Sequence, residues 1–210
     1  MKTLITKMET KADKQEDTRL LLLYLLFCVV YITSAILLQI RSHQPPEKSG
    51  TPLDMFNGSL IWAISIFSIL IAAIRYPSIA KMVLWMVVGA CAGAVAIDEM
   101  FEFHEYTKHI VGDDDYIKIA TWPAALLGLS FLYWVERPTT SLVVKLFLFG
   151  FLSHTFYLAV DMGDGDFFML PFTRHTQNWL EEMFEIMSMM GYLAGFIMHY
   201  VQLARSRYTT

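Results

Sequence analysis

The chain has 210 residues, of which 55% are hydrophobic and only 17% are charged, and its formal net charge is −4. Soluble domains usually carry about 25% charged residues, and here the apolar residues form long uncharged blocks, so the composition predicts a membrane protein. No basic patch indicates nucleic-acid binding, and Cys28 and Cys91 both lie in apolar blocks that give no disulfide framework.

About six stretches approach the roughly 20 apolar residues that a membrane-spanning helix needs. In chain order they are Leu20–Ile40, Met55–Ile74, Met82–Ile97, Ile119–Val135, Leu142–Val160 and Asn178–Leu203. The fourth contains Pro123, which lacks a backbone donor and predicts a kink. We therefore expect an all-α membrane bundle of about six helices over 19–204, with a cytoplasmic N-terminal segment over 1–18 and a cytoplasmic tail over 205–210.

Basic residues predict the orientation of the bundle. Lys and Arg favour the cytoplasmic side, and with the N-terminus inside, about 11 of the 16 basic residues fall on that side. The N-in and C-in arrangement is thus favoured. The expected location is a bacterial inner membrane. The N-in and C-in arrangement places about 15 of the 20 acidic residues outside, although those residues play no part in choosing the orientation.

Three helices carry polar stripes that reach this outer boundary. Each residue advances about 100° around a helix axis, so spacings of three, four and seven residues share a face. On the third helix the stripe comprises Asp98, Glu102, Glu105 and His109, with Glu99 beside it. On the fifth it comprises His154, Tyr157 and Asp161. On the last it comprises Glu181, Glu185, Ser188, Tyr192 and His199, with Glu182 at its shoulder.

Converging carboxylates need positive charge, which protons or metal ions can supply. Carboxylates with a few histidines suit iron, manganese or zinc, and also calcium. The expected metal ligands are Asp98, Glu99, Glu102, Glu105, His109, His154, Asp161, Glu181, Glu182 and Glu185. Tyr157 and Tyr192 are the expected catalytic neighbours. The plainer interpretation is that these acids are simply solvated at the level of the lipid headgroups.

The motifs Asp98-Glu99-x-x-x-x-His104-Glu105 and Glu181-Glu182-x-x-Glu185 resemble those of small uncharacterised bacterial multi-pass membrane proteins. That resemblance implies the fold and no particular activity. Ser153, His154 and Asp161 also resemble the ligands of zinc-dependent membrane hydrolases of the alkaline ceramidase type. The late His-x-x-x-His pair of that family has no counterpart here.

Three functions follow as hypotheses. The first is a membrane metalloprotein with one or two ions, acting as an oxidoreductase or hydrolase on a lipid-like or membrane-soluble substrate. The second is a proton or cation transport protein that uses the same acids. The third is a non-catalytic subunit whose acidic surface docks a basic partner. Membrane lipids are the expected surroundings, with a second copy or a partner subunit as further contacts.

Overall fold

The computed structural model describes residues 2–43, 51–76, 78–101, 115–136, 141–162 and 173–208. In these ranges the chain is all α-helical, as expected. The elements are α1 (Lys2–Ser42), α2 (Pro52–Arg75), α3 (Ile79–Phe101), α4 (Asp115–Phe131), α5 (Ser141–Asp161) and α6 (Arg174–Tyr208). A π-helical segment, Leu132–Glu136, follows α4 directly.

Five of the described helices are long and apolar enough to cross a membrane. These segments are Gln15–Ser42, Pro52–Arg75, Ile79–Phe101, Ser141–Asp161 and Arg174–Arg207. The expected fourth span is not among them, because regular α-helix in that stretch covers only 17 residues before the π-helical segment begins. Pro123 lies inside this helix.

Large apolar side chains cover the outside of the bundle. Leu23, Leu127 and Trp134 expose 66%, 71% and 69% of their surfaces, and most of the large apolar side chains from Leu22 to Ile40 on α1 are also exposed. In water such a surface would drive aggregation, whereas in hydrocarbon it carries no cost. The exposed apolar surface and the five long helices are those of an integral, multi-pass membrane protein.

Local chemistry sets where α1 ends and α2 begins. His43 adopts φ 56°, a left-handed conformation that commonly terminates a helix. Pro52 then occupies the first turn of α2, where its missing N–H costs nothing. Asp54 accepts a hydrogen bond from the backbone N–H of Thr51 at 2.8 Å. At its other end α1 begins at Lys2, well before the expected start of the first span at Leu20.

The long α6 helix lies at the centre of the bundle and contacts α1, α2 and α5. α2 also packs along α3, and α4 packs on α5. The core between them is built from large apolar side chains, including Ile64, Trp85, Phe147, Met190 and Phe196.

The two ends of the bundle differ in charge. At one end, Arg205 Nη1 lies 2.7 Å from Asp17 Oδ1, and Arg207 donates to the carbonyl of Ile74 at 2.5 Å. We call this the basic end, defined by Arg75, Arg205 and Arg207. We call the opposite end the acidic end, defined by Glu99, Asp161, Glu181 and Glu185.

Candidate functional site

The acidic end is assembled by two close helix contacts, the first between α2 and α3. A Cβ atom on Gly58 would lie 2.6 Å from Met100 Cγ and 3.5 Å from Glu99 Cβ. The absence of a side chain at Gly58 therefore lets α3 approach α2 closely. This approach places Glu99 next to the turn of α2 that carries Asn57.

The second contact joins the antiparallel helices α5 and α6. A Cβ atom on Gly191 would lie 2.7 Å from Gly150 Cα, and one on Gly150 would lie 2.9 Å from the backbone N of Tyr192. Small residues allow such backbone contact between membrane helices. Because Asp161 and Glu181 are about equally far along the chain from this crossing, the contact brings both carboxylates to the same level.

Tyr157 lies where these helices meet. It is buried, with 8% of its surface exposed. Its hydroxyl interacts electrostatically with four carboxylates, those of Glu99 on α3, Asp161 on α5, and Glu181 and Glu185 on α6. Acidic side chains from three helices thus lie within electrostatic range of one phenol.

A fourth helix contributes a neutral polar group to this gathering. Asn57 on α2, only 2% exposed, donates a hydrogen bond from Nδ2 to Glu185 Oε1. Its Oδ1 is buried and accepts no hydrogen bond within the described part of the chain, and the same is true of Ser188 Oγ, one turn beyond Glu185. Buried polar atoms usually have a partner, in protein or ordered water. Both atoms are therefore candidates for a hydrogen bond to water or to a polar ligand.

His154 borders the group from α5. Its Nε2 lies 2.8 Å from Thr121 Oγ1 on α4, and its ring centroid lies 5.8 Å from that of Tyr157. Its buried Nδ1 has no hydrogen-bond partner in the described ranges. One nitrogen of this expected ligand is therefore held by α4, and the other stays available.

The remaining predicted metal ligands lie partly at the acidic end and partly outside the described residues. Asp98 and Glu182 are partly buried at the same end of the bundle. Glu102, Glu105 and His109 lie outside the described residues. Within the described ranges, no three His, Cys, Asp or Glu side chains are arranged so as to hold a metal ion.

Tyr192, the second expected catalytic residue, lies deeper in the bundle. It packs against Gly150 and Phe147, and its buried hydroxyl has no partner among the described residues. It follows Glu185 by two helical turns, about 10 Å along α6. The structure thus separates Tyr192 from the group around Tyr157.

The basic end contains a second polar group, which the sequence analysis missed. Glu136, at the end of the π-helical segment, has a fully buried side chain that pairs with Arg75 on α2. Its Oε1 accepts a hydrogen bond from Trp85 Nε1 at 2.9 Å, and its Oε2 lies 3.6 Å from His199 Nε2. Burial alone raises the pKa of Glu136, but its interactions with His199, Trp85 and Arg75 outweigh burial and lower the pKa to about 2. Glu136 is therefore ionised at neutral pH.

In its fold and site, the protein is a multi-pass helical membrane protein with carboxylates gathered at one end of its bundle. The model of a domain family of unknown function, DUF8692, matches residues 22–200. The chain belongs to this family, and the match extends from within the first candidate span to within the last. No curated protein and no solved structure matches the chain.

Proposed function

We propose that the protein is a membrane metalloprotein that binds a cation at the acidic end, between α3, α5 and α6. The observation that carries this proposal is that Tyr157 lies within electrostatic range of four carboxylates, those of Glu99, Asp161, Glu181 and Glu185. Carboxylates held near one another in partly buried surroundings favour a proton or a metal cation between them. The Oδ1 of Asn57, which has no hydrogen-bond partner among the described residues, adds a neutral oxygen of the kind that binds hard cations.

The donor set favours particular ions. Carboxylate oxygens with one histidine suit iron, manganese or zinc, and carboxylates with an amide oxygen also suit calcium. His154 supplies the nitrogen ligand, because its Nδ1 has no hydrogen-bond partner in the described ranges and its ring lies beside that of Tyr157. Asn57 orients the Glu185 carboxylate, as outer hydrogen bonds commonly do for metal ligands.

An enzymatic role fits this position in the fold. A bound ion would supply Lewis acidity or redox chemistry. The chain's own contribution is the Tyr157 hydroxyl, which is placed to donate a hydrogen bond or hold a proton beside the carboxylates. A lipid-like or membrane-soluble substrate suits a site between bilayer-facing helices, and the reaction class is oxidoreduction or hydrolysis.

Metal analysis tests the proposal. Detergent-purified protein is assayed for metals by mass spectrometry beside the variants Glu99→Gln and Glu185→Gln. The matched control is Glu16→Gln, which neutralises a carboxylate with a 64% exposed side chain at the basic end. We expect at least one ion per chain in the wild type and the control, and a loss in both site variants. Metal-free wild-type protein, even after incubation with each candidate ion, would exclude the proposal.

A second function, proton or cation transport, is favoured by a different observation. α6 carries buried polar atoms without hydrogen-bond partners among the described residues at Ser188, Tyr192 and His199. These residues and Glu185 share one stripe of the helix, which extends about 21 Å from Glu185 to His199. Ion flux into proteoliposomes that is lost in Glu185→Gln, without stoichiometric metal, would favour transport over catalysis.

We also infer that α4 and the π-helical segment form a sixth crossing. Thr121 contacts His154 near the acidic end, and Glu136 contacts Arg75 at the basic end. The 15 residues between Thr121 and Glu136 cover about 22 Å in helical form, much of the hydrocarbon thickness. Six crossings support the N-in and C-in orientation, with the basic end in the cytoplasm of a bacterial cell.

A further inference from the structure

An apolar groove lies between α1 and α6 near the basic end of the bundle, and its volume is about 230 Å³. Its two walls include Leu20, Leu23 and Tyr24 from α1, and Ala194, Ile197 and Met198 from α6. The tyrosine hydroxyl, the one polar side-chain group among these six, donates a hydrogen bond to the backbone carbonyl of Met190 at 2.6 Å. The groove therefore offers a ligand apolar contact rather than hydrogen bonds.

Two polar contacts hold α1 against α6, one on each side of the groove. Toward the basic end, Arg205 Nη1 lies 2.7 Å from Asp17 Oδ1. Toward the middle of the bundle, the contact is the hydrogen bond from Tyr24 to Met190. Between these contacts the α6 wall includes Ala194, which contributes only a methyl group. The walls are thus fixed at both ends, and the space between them belongs to the folded helix pair.

The groove opens toward the bilayer. Leu23 lines it and still exposes 66% of its surface, and its neighbours Leu22 and Leu26 are also exposed. The apolar run of the first span starts at Leu20, so this part of α1 lies just below the lipid headgroups. At that depth the molecules that meet the opening are the upper parts of lipid acyl chains.

A basic side chain lies at the edge of the groove. Arg19 precedes Leu23 by four residues, so the two share one side of α1. Arg205 and Arg207 at this end already contact other groups of the chain, whereas Arg19 is exposed and forms no ion pair with another described residue. An arginine at the end of a span extends its guanidinium to the headgroup level, where it binds phosphate through paired hydrogen bonds.

We propose that this groove binds one acyl chain of an anionic phospholipid, whose phosphate pairs with Arg19. An extended acyl chain is narrow enough to lie between α1 and α6, whereas a helix from a second copy is about 10 Å wide and too broad to enter. The positive charge at the edge favours a lipid with net negative charge. This site shares no residue with the cation site at the acidic end and does not depend on it.

Native mass spectrometry tests the charge requirement. The full chain in detergent is mixed with phosphatidylglycerol or with phosphatidylcholine of identical acyl chains, and retained lipid is measured. We expect one phosphatidylglycerol per chain, held about fivefold more tightly than phosphatidylcholine, the effect of one basic residue near a charged headgroup. Arg19→Gln should remove this preference. Arg41→Gln, which neutralises an exposed arginine at the other end of α1, should keep it.

A second variant tests the groove itself. Ile197→Phe enlarges a partly buried wall residue and fills the space, so it should lower the retention of both lipids. Leu127→Phe makes a similar enlargement at a side chain that is 71% exposed on α4, and it should retain both lipids as the wild type does. Equal retention of phosphatidylglycerol by the wild type, Arg19→Gln and Ile197→Phe would overturn the proposal. A two-chain species that Ile197→Phe abolishes would also overturn it, because a second copy would then cover the groove.

Discussion

Asn57 on α2 donates a hydrogen bond from its Nδ2 to the Oε1 of Glu185 on α6. This contact joins the helix pair α2–α3 to the pair α5–α6 at the level of Tyr157. It fixes one carboxylate of the candidate site through a side chain that carries no charge. The account therefore predicts that changes at Asn57 alter the site without removing any acidic group.

Asn57→Asp should make the stability of the protein depend on metal. The substitution replaces a donor to Glu185 with a second carboxylate, and like charges in buried surroundings repel. We expect a lower melting temperature without divalent cations, and recovery when manganese or zinc is added. Thermal unfolding in detergent, with and without each ion, measures the effect. Asn57→Ala, which loses about 1 to 3 kcal/mol with its hydrogen bond, separates the loss of the donor from the added charge.

The α5–α6 crossing should tolerate no side chain at its glycines. In Gly150→Ala and Gly191→Ala the new Cβ would lie within 3 Å of backbone atoms on the partner helix, so the helices must separate. We expect each change to destabilise the protein by about 1 to 3 kcal/mol, typical of overpacking. Gly128→Ala on α4 is the matched control, because nothing lies within 4 Å of its Cβ position. Equal melting temperatures for all three variants would contradict the crossing described above.

Neutralising Glu136 should destabilise the fold. Glu136→Ala leaves Arg75 without its partner and Trp85 without its acceptor, at a cost of about 3 kcal/mol for a broken buried pair. Glu16→Ala, an exposed pair with Arg205 at the same end, should change stability by about 0.5 kcal/mol or less. Chemical denaturation of both variants in detergent gives the comparison. A similar, small loss in both would mean that the buried pair contributes little.

The same carboxylate predicts a pH dependence. The pKa of Glu136 is about 2 in the folded protein, below its ordinary value of 4.5. A lowered carboxyl pKa stabilises the fold fully above the unfolded value, and that stability is lost as the pH falls toward the folded value. Between about pH 5 and pH 8 the Glu136 contribution should stay constant. The stability difference between wild type and Glu136→Gln, measured from pH 7 to pH 3, should therefore shrink only below about pH 4.5.

Helical periodicity accounts for what the sequence could predict of the site. Glu181 and Glu185 share a stripe on a helix that forms without interruption, and α3 continues through Glu99 to Phe101. Tyr157 and Asp161 likewise lie on one continuous helix. These positions depend on local spacing alone, which the sequence contains.

Contacts between helices could not be predicted from helical periodicity. Asn57 is one neutral residue in an uncharged span, and it meets Glu185 only because α2 packs against α6. Glu136 directly follows the expected fourth span and precedes an Arg-Pro pair, a sequence typical of a connection, although its side chain is fully buried. A polar residue at the end of an apolar run was the available signal in both cases, but the partner helix could not be deduced from it.

Cysteine accessibility tests whether the chain crosses the membrane five or six times. Six crossings place both termini on one side of the membrane, whereas five place them on opposite sides. In a background lacking Cys28 and Cys91, we expect Ser206→Cys and Thr3→Cys to react with an impermeant maleimide from the same side. Thr173→Cys, at the acidic end, should react from the other. Opposite accessibility of the two terminal positions would remove α4 as a crossing.

Anomalous X-ray scattering from crystals of the purified protein, collected at the iron, manganese and zinc edges, tests the central claim most directly. The account predicts a peak beside the Tyr157 hydroxyl, within coordination distance of carboxylates from α3, α5 and α6. A site filled instead by a lysine or arginine side chain, or carboxylates turned away from one another with no peak, would contradict it.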